Sequence, residues 1–252
     1  MSNQGITIVK VGTGVLTKDD GRLNLESIQG LSKNVAGLIN SGNKVILVSS
    51  GAVGAGVTLF DLDQYPSDIP TRQAAAAIGQ ARLMQRYQEA FSEHEITIAQ
   101  ILLSSYDLQE KTHRERAKSV LKRLLNEENV IPIVNENDVV SLRELTKTDN
   151  DMLASYLSVI MNAKRLVLLT SVDGLLDDHG QVIPEVSDVS DASKRFAKDS
   201  SGKFSIGGMK SKLDAVGVAT NKGVEVVIGN GEHPERLQGY SDRSSIGTYF
   251  SA

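Results

Sequence analysis

Short apolar runs alternate with amphipathic stretches along this chain, and that alternation predicts strands separated by helices. The runs of strand length cover residues 6–10, 44–48, 96–103, 130–134, 166–169 and 224–228. Helical spacing of apolar side chains marks residues 25–39, 71–91, 111–126 and 209–222, and a further helix begins within 148–151. Repeated strand–helix units build a mainly parallel sheet covered by helices on both faces, so we predict an α/β fold.

The segments between these elements carry weaker signals. We predict a polar loop at 60–70, a hairpin at 176–189 turning at 177–180, a helix at 190–199, a loop at 200–208 and an edge strand at 244–250. The helix at 111–126 should face the core with Val120, Leu121, Leu124 and Leu125. No internal repeat or long linker interrupts the pattern, so we expect a single domain over residues 1–252.

Polar residues and glycines follow the predicted strands at the point where each strand ends. They are Lys10 and residues 11–14, 49–52, 135–138, 170–174 and 229–231. Right-handed crossovers place the carboxyl ends of parallel strands at one edge of the sheet. Ligands of open α/β sheets bind outside those ends. The sequence therefore predicts an active site along this edge.

Two polar clusters flank one short segment in the middle of the chain. Asn135 to Asp138 follow a buried strand, and residues 148–151, Thr-Asp-Asn-Asp, begin a helix whose free N–H groups favour anions. Each cluster alone is equally well explained as a polar turn or as helix capping. Together they favour a ligand site, in which Asn135, Asp138 and Asn150 suit an ammonium or amide group.

Phosphate recognition has to be built without the familiar nucleotide motifs. The turn after the first strand fails the G-x-G-x-x-G pattern at its last position, and no G-x-x-x-x-G-K-[ST] sequence occurs. Lysines and small residues offer another route. Lys10 ends an apolar strand, the glycine-containing loop 205–212 carries Lys212 just inside a helix, and Ser50, Gly51 and Ala52 form a small-residue turn. A nucleoside triphosphate and an amino acid would satisfy both kinds of group.

Composition narrows the remaining choices. The chain of 252 residues has no cysteine, which excludes disulfides and thiolate chemistry. Its net charge of −4 gives no sign of a nucleic-acid or membrane partner. Its four histidines are scattered, which makes a histidine-based metal site or triad improbable. Neither a signal peptide nor an apolar run of membrane-spanning length is present, so we expect a cytoplasmic protein.

Eight motifs relate the chain to a known family. They are V-K-V-G-T (9–13), V-S-S-G-A-V (48–53), Q-A-A-A-A-I-G-Q (73–80), V-N-E-N-D-V-V (134–140), T-D-N-D (148–151), L-L-T (168–170), V-D-G-L (172–175) and G-G-M-K-S-K (207–212). With these motifs the chain resembles the amino-acid kinase superfamily, whose fold is a three-layer α/β/α sandwich, and within it the glutamate 5-kinase branch. The resemblance covers residues 6–250. It implies ATP-dependent phosphorylation of the side-chain carboxylate of L-glutamate to L-glutamyl 5-phosphate, the first step of proline biosynthesis.

The resemblance also assigns roles to individual residues. It implies that Lys10 and Lys212 flank the transferring phosphoryl group, that Asp151 holds them, and that glutamate meets Ser50, Gly51, Ala52, Asp138 and Asn150. The nucleotide is expected at Lys10, Thr170, Ser171, Ile206, Gly207, Gly208, Met209, Lys210, Ser211 and Lys212. Mg²⁺ is expected mainly on phosphate oxygens, without a protein ligand. The resemblance also implies a dimer or tetramer, for which we expect helix 71–91 at an interface. It further implies feedback inhibition by proline, which we expect to involve residues 141–147.

The chain departs from its relatives at several positions. Thr148 stands where many relatives have glycine, Ser205 and Ile206 replace Gly-Thr, and Ser211 replaces threonine. No C-terminal domain of the kind found in RNA-modifying enzymes is expected, since the chain stops soon after Phe250. Two other readings stay open: an acetylglutamate kinase, disfavoured by Asp138 and Asn150, and a catalytically silent ligand-binding domain, disfavoured by the retained lysines and Asp151.

Overall fold

The computed structural model describes residues 5–57, 66, 68–140, 150–190, 192 and 208–251. Its strands are β1 (Ile6–Val11), β2 (Lys44–Ser49), β3 (Thr97–Leu103), β4 (Val130–Glu136), β5 (Arg165–Thr170), β6 (Glu185–Val186), β7 (Glu225–Asn230) and β8 (Thr248–Phe250). The helices are α1 (Thr13–Leu16), α2 (Leu25–Asn40), α3 (Ala52–Val57), α4 (Ile69–Ser92), α5 (Ser105–Gln109), α6 (Lys111–Leu124), α7 (Asn150–Ile160) and α8 (Met209–Thr220), and Pro234–Tyr240 forms a 3₁₀ helix.

Within the described residues, the eight strands form one sheet in the order β3-β4-β2-β1-β5-β7-β8-β6. Every neighbouring pair is parallel except β7 and β8, which run antiparallel. The predicted mainly parallel sheet is therefore confirmed. The strand predicted within 244–250 is present as β8, but its predicted position at the edge is wrong, because β8 pairs with β7 on one side and with the two-residue β6 on the other.

Helices cover both faces of the sheet, as the α/β/α prediction requires. Val9 of β1 belongs to the apolar layer under α2 and α4, whereas its neighbour Ile8 belongs to the layer under α6, α7 and α8. Successive strand residues point to opposite faces. Both faces of β1 are buried, which explains why its sequence is a continuous apolar run rather than an alternating one.

Several local predictions need correction. The turn after β1 contains the single-turn helix α1, and a short helix, α5, precedes α6. Val120 of α6 is 52% exposed and therefore does not belong to the core-facing stripe, whereas Leu121 is fully buried. The hairpin is confirmed only as a bridge between Leu176 and Val182, since β6 joins β8 instead.

Other predictions meet the limits of the described residues. The predicted loops at 60–70 and 200–208, and the helix at 190–199, lie largely outside them. Across the described ranges, no helix is both long and apolar enough to cross a membrane.

Candidate active site

The carboxyl ends of β1, β2, β4, β5 and β7 meet along one edge of the sheet, and α7 and α8 begin beside them. At this edge the carboxylate of Asp151, the second residue of α7, contacts two ammonium groups. Its Oδ1 lies 2.6 Å from Lys10 Nζ, and its Oδ2 accepts a hydrogen bond of 3.1 Å from Lys212 Nζ. We call these three residues the ion triad. All three are at least nine-tenths buried.

Burial and charge act in opposite directions on Asp151. Burial alone would raise the pKa of this carboxyl group, because a charge is poorly solvated in the protein interior. The ammonium groups of Lys10 and Lys212 outweigh that effect and lower the pKa to about 2. The triad therefore carries a net charge of +1 at neutral pH. Such a cationic pair, fixed by one carboxylate, is suited to a phosphoryl group.

Asn150, the residue before Asp151, belongs to a second and uncharged cluster. Its Nδ2 donates to Ser50 Oγ at 2.9 Å and to Asn135 Oδ1 at 2.9 Å, and its Oδ1 accepts the backbone N–H of Glu136 at 3.3 Å. Asn135 Nδ2 in turn donates to Gln80 Oε1 of α4 at 2.9 Å. We call Gln80, Asn135, Asn150 and Ser50 the amide chain.

The cluster after β4 differs from its prediction in one respect. Asn135 and Glu136 are not part of a turn; they are the last two residues of β4 and are almost completely buried. Backbone pairing continues to this point because β3 lies beside it, with Leu102 opposite Asn135 and Leu103 opposite Glu136. Asp138 follows in the turn after the strand and is partly exposed.

The small-residue turn after β2 depends on backbone geometry. Gly51 has a φ of +102°, which L side chains rarely adopt, and it lets the chain turn directly into α3. The crossing of α3 and α4 is unusually close, because a Cβ added to Gly79 would lie 1.9 Å from the carbonyl oxygen of Ala52. The position of Ser50 to Ala52 is therefore fixed by α4 through backbone contact.

Residues predicted to bind the nucleotide lie at the carboxyl end of β5 and at the beginning of α8. Thr170 ends β5, and Ser171 follows it with its side chain exposed. Gly208 is the residue before α8, and a Cβ added to Gly12 would lie 3.4 Å from Lys10 Nζ. Backbone thus passes close to Lys10 at Gly12, and the free N–H groups at the start of α8 lie in the same chain segment as Lys212, an arrangement that suits an approaching phosphate group.

Not every predicted residue is gathered at this centre. Lys210 is exposed and donates at 2.9 Å to Asp214, on the outer face of α8. Met209 and Ser211 are partly buried in the first turn of that helix. Ile206 and Gly207, the departing residue Thr148, and the residues 141–147 associated with feedback all lie outside the described residues.

Two groups of site residues were not predicted. Gln80 stood out only as the end of a family motif, and nothing in helical spacing reveals its hydrogen bond to Asn135. Asp173, beyond β5, accepts hydrogen bonds from Arg236 and from Asn230, and the bond from Arg236 is the main reason that its pKa is lowered. This second cluster lies next to Thr170 and Ser171 in the chain, and its sequence signals were the polar stretch 170–174 and the motif V-D-G-L, neither of which reveals the partners Asn230 and Arg236.

A cavity of about 280 Å³ adjoins the amide chain. Its lining comes from α3, α4, β3 and the end of β4, and includes Ala52, Ala76, Gln80, Asn137 and Asp138. Within the described ranges, no three histidine or acidic side chains converge in a way that could hold a metal ion.

Comparison with known proteins places this chain in a family. The model of the amino acid kinase family matches residues 5–230. The chain belongs to the amino acid kinase family. A glutamate 5-kinase of Clostridium acetobutylicum is 38% identical over 99% of this chain and 96% of its own length. A second, from Thermoanaerobacter, is 37% identical over 96% of this chain and 67% of its own.

Two solved structures share the fold at low sequence identity. A carbamate kinase of Giardia superposes with a TM-score of 0.70 at 15% identity and covers 99% of both chains. An N-acetylglutamate synthase of Neisseria gonorrhoeae superposes with a TM-score of 0.71 at 14% identity, over 98% of this chain and 59% of its own. These likenesses confirm the predicted amino-acid kinase fold.

Proposed function

We propose that this member of the amino acid kinase family transfers the γ-phosphoryl group of ATP to the side-chain carboxylate of L-glutamate. The products are L-glutamyl 5-phosphate and ADP, and the reaction opens proline biosynthesis. One observation carries the proposal: Asp151 bridges Lys10 and Lys212 while its neighbour Asn150 is bonded to Ser50. Relatives with 36–39% identity over nearly the whole chain carry the name glutamate 5-kinase.

The chemistry needs charge compensation more than proton transfer. A glutamate side chain has an ordinary pKa near 4.3 and is already the nucleophile at neutral pH, so no general base is required. A carboxylate oxygen forms a bond to the γ-phosphorus while the bond from that phosphorus to the bridging oxygen breaks, and its electron pair leaves with ADP. Lys10 and Lys212 offset the repulsion between carboxylate and triphosphate. Asp151 keeps both ammonium groups in place.

The acceptor and the nucleotide approach the triad from different sides. We assign Ser50, Gly51, Ala52, Asp138 and Asn150 to glutamate, with Asp138 as the partner of its ammonium group. Thr170, Ser171 and the first turn of α8 from Gly208 are assigned to ATP, together with Ile206 and Gly207. The donor enters as its magnesium complex, in which the cation neutralises phosphate charge. The described residues converge on no acidic cage, and phosphate oxygens and water are the ligands that Mg²⁺ ordinarily accepts.

The remaining partners follow from the same assignment. We propose that residues 1–252 act as one kinase domain in the cytoplasm, where ATP is available. We also propose that the chain forms a homo-oligomer through α4 and responds to proline. Ile78 on the outer face of this helix is 44% exposed, which supports a contact there.

A hydroxylamine trap tests the reaction and its acceptor. With ATP, Mg²⁺ and L-glutamate, an acyl phosphate should be captured as the coloured hydroxamate, and N-acetylglutamate should give no signal. A signal with N-acetylglutamate alone would instead establish the acetylglutamate kinase reading. Folded protein that binds ATP and yields no hydroxamate with either acceptor would establish the catalytically silent domain.

A further inference from the structure

Gln80 holds a buried hydrogen-bond donor for which the described residues provide no acceptor. The side chain is 8% exposed, and its Nε2 has no hydrogen-bond partner among the described residues. A buried donor of this kind is rare in native proteins, because it loses its bonds to water without gaining others. Because Gln80 also lines the cavity, its Nε2 is free to donate to water or to a ligand atom placed there.

The amide chain determines which end of Gln80 faces that cavity. Asn135 Oδ1 accepts from the backbone N–H of Glu136 at 2.8 Å and from Asn150 Nδ2 at 2.9 Å. The oxygen of Asn135 is thereby occupied, so its Nδ2 must be the atom that meets Gln80. An amide nitrogen donates only to an acceptor, so Gln80 presents Oε1 to Asn135 and keeps both Nε2 hydrogens for another partner.

The cavity beside Gln80 adjoins the proposed acceptor site. It is lined by Ala52 of the turn after β2 and by Asp138, the proposed partner of the substrate ammonium group. No lysine or arginine contributes to the described lining. Lys10 and Lys212 are held by Asp151 at the phosphoryl position. Within the described lining, which also holds the carboxyl groups of Glu136 and Asp138, a carboxylate can be met only by neutral donors, and Gln80 supplies a buried one.

We propose that Gln80 Nε2 binds the α-carboxylate of the amino-acid acceptor and so selects acceptors that carry this group. The inference rests on the proposed function, because it needs an acceptor whose side-chain carboxylate reaches the ion triad. Gln80 then recognises the end of the substrate that does not react. Gln80 also accepts the hydrogen bond from Asn135 Nδ2 through its Oε1. One residue therefore takes part both in substrate binding and in the amide chain.

Two substitutions separate substrate contact from a role through Asn135. Gln80→Glu keeps an oxygen for Asn135 but replaces the donor with a negative charge at about pH 8.5, well above the ordinary pKa of a glutamate carboxyl group. Gln80→Met keeps the length of the side chain and removes both the donor and the acceptor. Gln88→Glu is the matched control, because it makes the same charge change at an exposed position of α4.

Steady-state kinetics on L-glutamate, followed by ADP release, gives the test. We expect Gln80→Glu to raise KM for glutamate about ten- to hundredfold with kcat within about threefold, and Gln80→Met to raise it less. Gln88→Glu should match the wild type. A Glu variant with wild-type KM beside an impaired Met variant would overturn the proposal, since Gln80 would then act only through Asn135. Equal loss of kcat in both, with KM unchanged, would overturn it as well.

Failure of the proposed function would be visible separately. If the wild-type protein phosphorylates N-acetylglutamate and not glutamate, the substrate assignment is wrong. The comparison of the two variants then moves to that acceptor, which has the same α-carboxylate, and still decides the role of Gln80. Thermal unfolding midpoints of all variants show whether each one is folded.

Discussion

The ion triad and the amide chain begin at consecutive residues, Asp151 and Asn150, yet they are built on opposite principles. The triad brings three charges together in a buried place, where each depends on the others for compensation. The amide chain contains no charge and fixes positions through neutral hydrogen bonds, each of which contributes about 1 kcal/mol. In the proposed assignment, the charges of the ion triad act on the reacting phosphoryl group, whereas the neutral hydrogen bonds of the amide chain hold the residues that meet the acceptor.

Removing one cation should separate the two clusters most strongly. Lys10→Ala takes away a donor that we place at the transferring phosphoryl group. We expect kcat to fall by about a thousandfold, the scale seen when a charge-stabilising donor is lost. Binding of L-glutamate, measured by calorimetry, should stay within about threefold of the wild type. Loss of glutamate binding would contradict the separation.

Removing the shared anion should damage stability as well as turnover. Asp151→Asn leaves the buried ammonium groups of Lys10 and Lys212 without their counter-ion. We expect the free energy of unfolding to fall by about 3–5 kcal/mol, measured with a denaturant, because a broken buried ion pair leaves uncompensated charge. A change of under 1 kcal/mol would show that the lysines find other partners.

Acid should reproduce part of this effect in the wild type. The folded-state pKa of Asp151 is lowered to about 2 from an ordinary 3.8, so the group stabilises the fold above about pH 4. That contribution, about 2 kcal/mol, is lost as the pH falls from about 4 through about 2. The difference in stability between wild type and Asp151→Asn should therefore shrink over this range. A constant difference would refute the assignment.

A steric change should act on the amide side alone. The Cβ that Gly79→Ala introduces would collide with the carbonyl oxygen of Ala52 and push α3 away. We expect a loss of about 1–3 kcal/mol in stability and a several-fold rise in KM for glutamate, with KM for ATP unchanged. Gly217→Ala in α8 is the control, since its added Cβ meets Val189 at an ordinary 3.7 Å. It should stabilise the protein by about 0.5–1 kcal/mol.

The smallest effect is expected at the exposed lysine of the same helix. Lys210 is paired with Asp214 on the outside of α8, in contrast to the buried Lys212. Lys210→Ala should raise KM for ATP by no more than about threefold and leave kcat unchanged. A large fall in kcat would mean that this side chain turns inward when the nucleotide binds.

Strand–helix alternation was enough to predict the sheet and the edge that carries the site, because both follow from which residues must be buried. The contact of Asp151 with both lysines came from the family resemblance. Spacing alone could not place residues 10, 151 and 212 together. The predicted end of β4 was too early, since polar residues usually mark a strand end and nothing local shows that β3 continues beside Asn135 and Glu136.

Other features depended on packing between distant segments. Val120 satisfied the helical spacing, but the apolar face of α6 that meets the sheet is narrower than its sequence suggested. Gln80 lies on a helix rich in alanine, and from the sequence alone a glutamine in such a helix is expected to face the solvent. Only the fold brings it opposite Asn135, which is 55 positions away in the chain.

The direct succession of Asn150 and Asp151 at the start of α7 has a consequence for redesign of the enzyme. If the proposed roles hold, an attempt to change the acceptor by altering α7 would also disturb the ammonium groups that we place at the phosphoryl group, so altered selectivity and lost turnover would arrive together. Helix α4 offers another handle, because its side chains line the cavity whereas the ion pairs of Asp151 go to Lys10 and Lys212. New substrates for this scaffold should therefore be sought through libraries on α4.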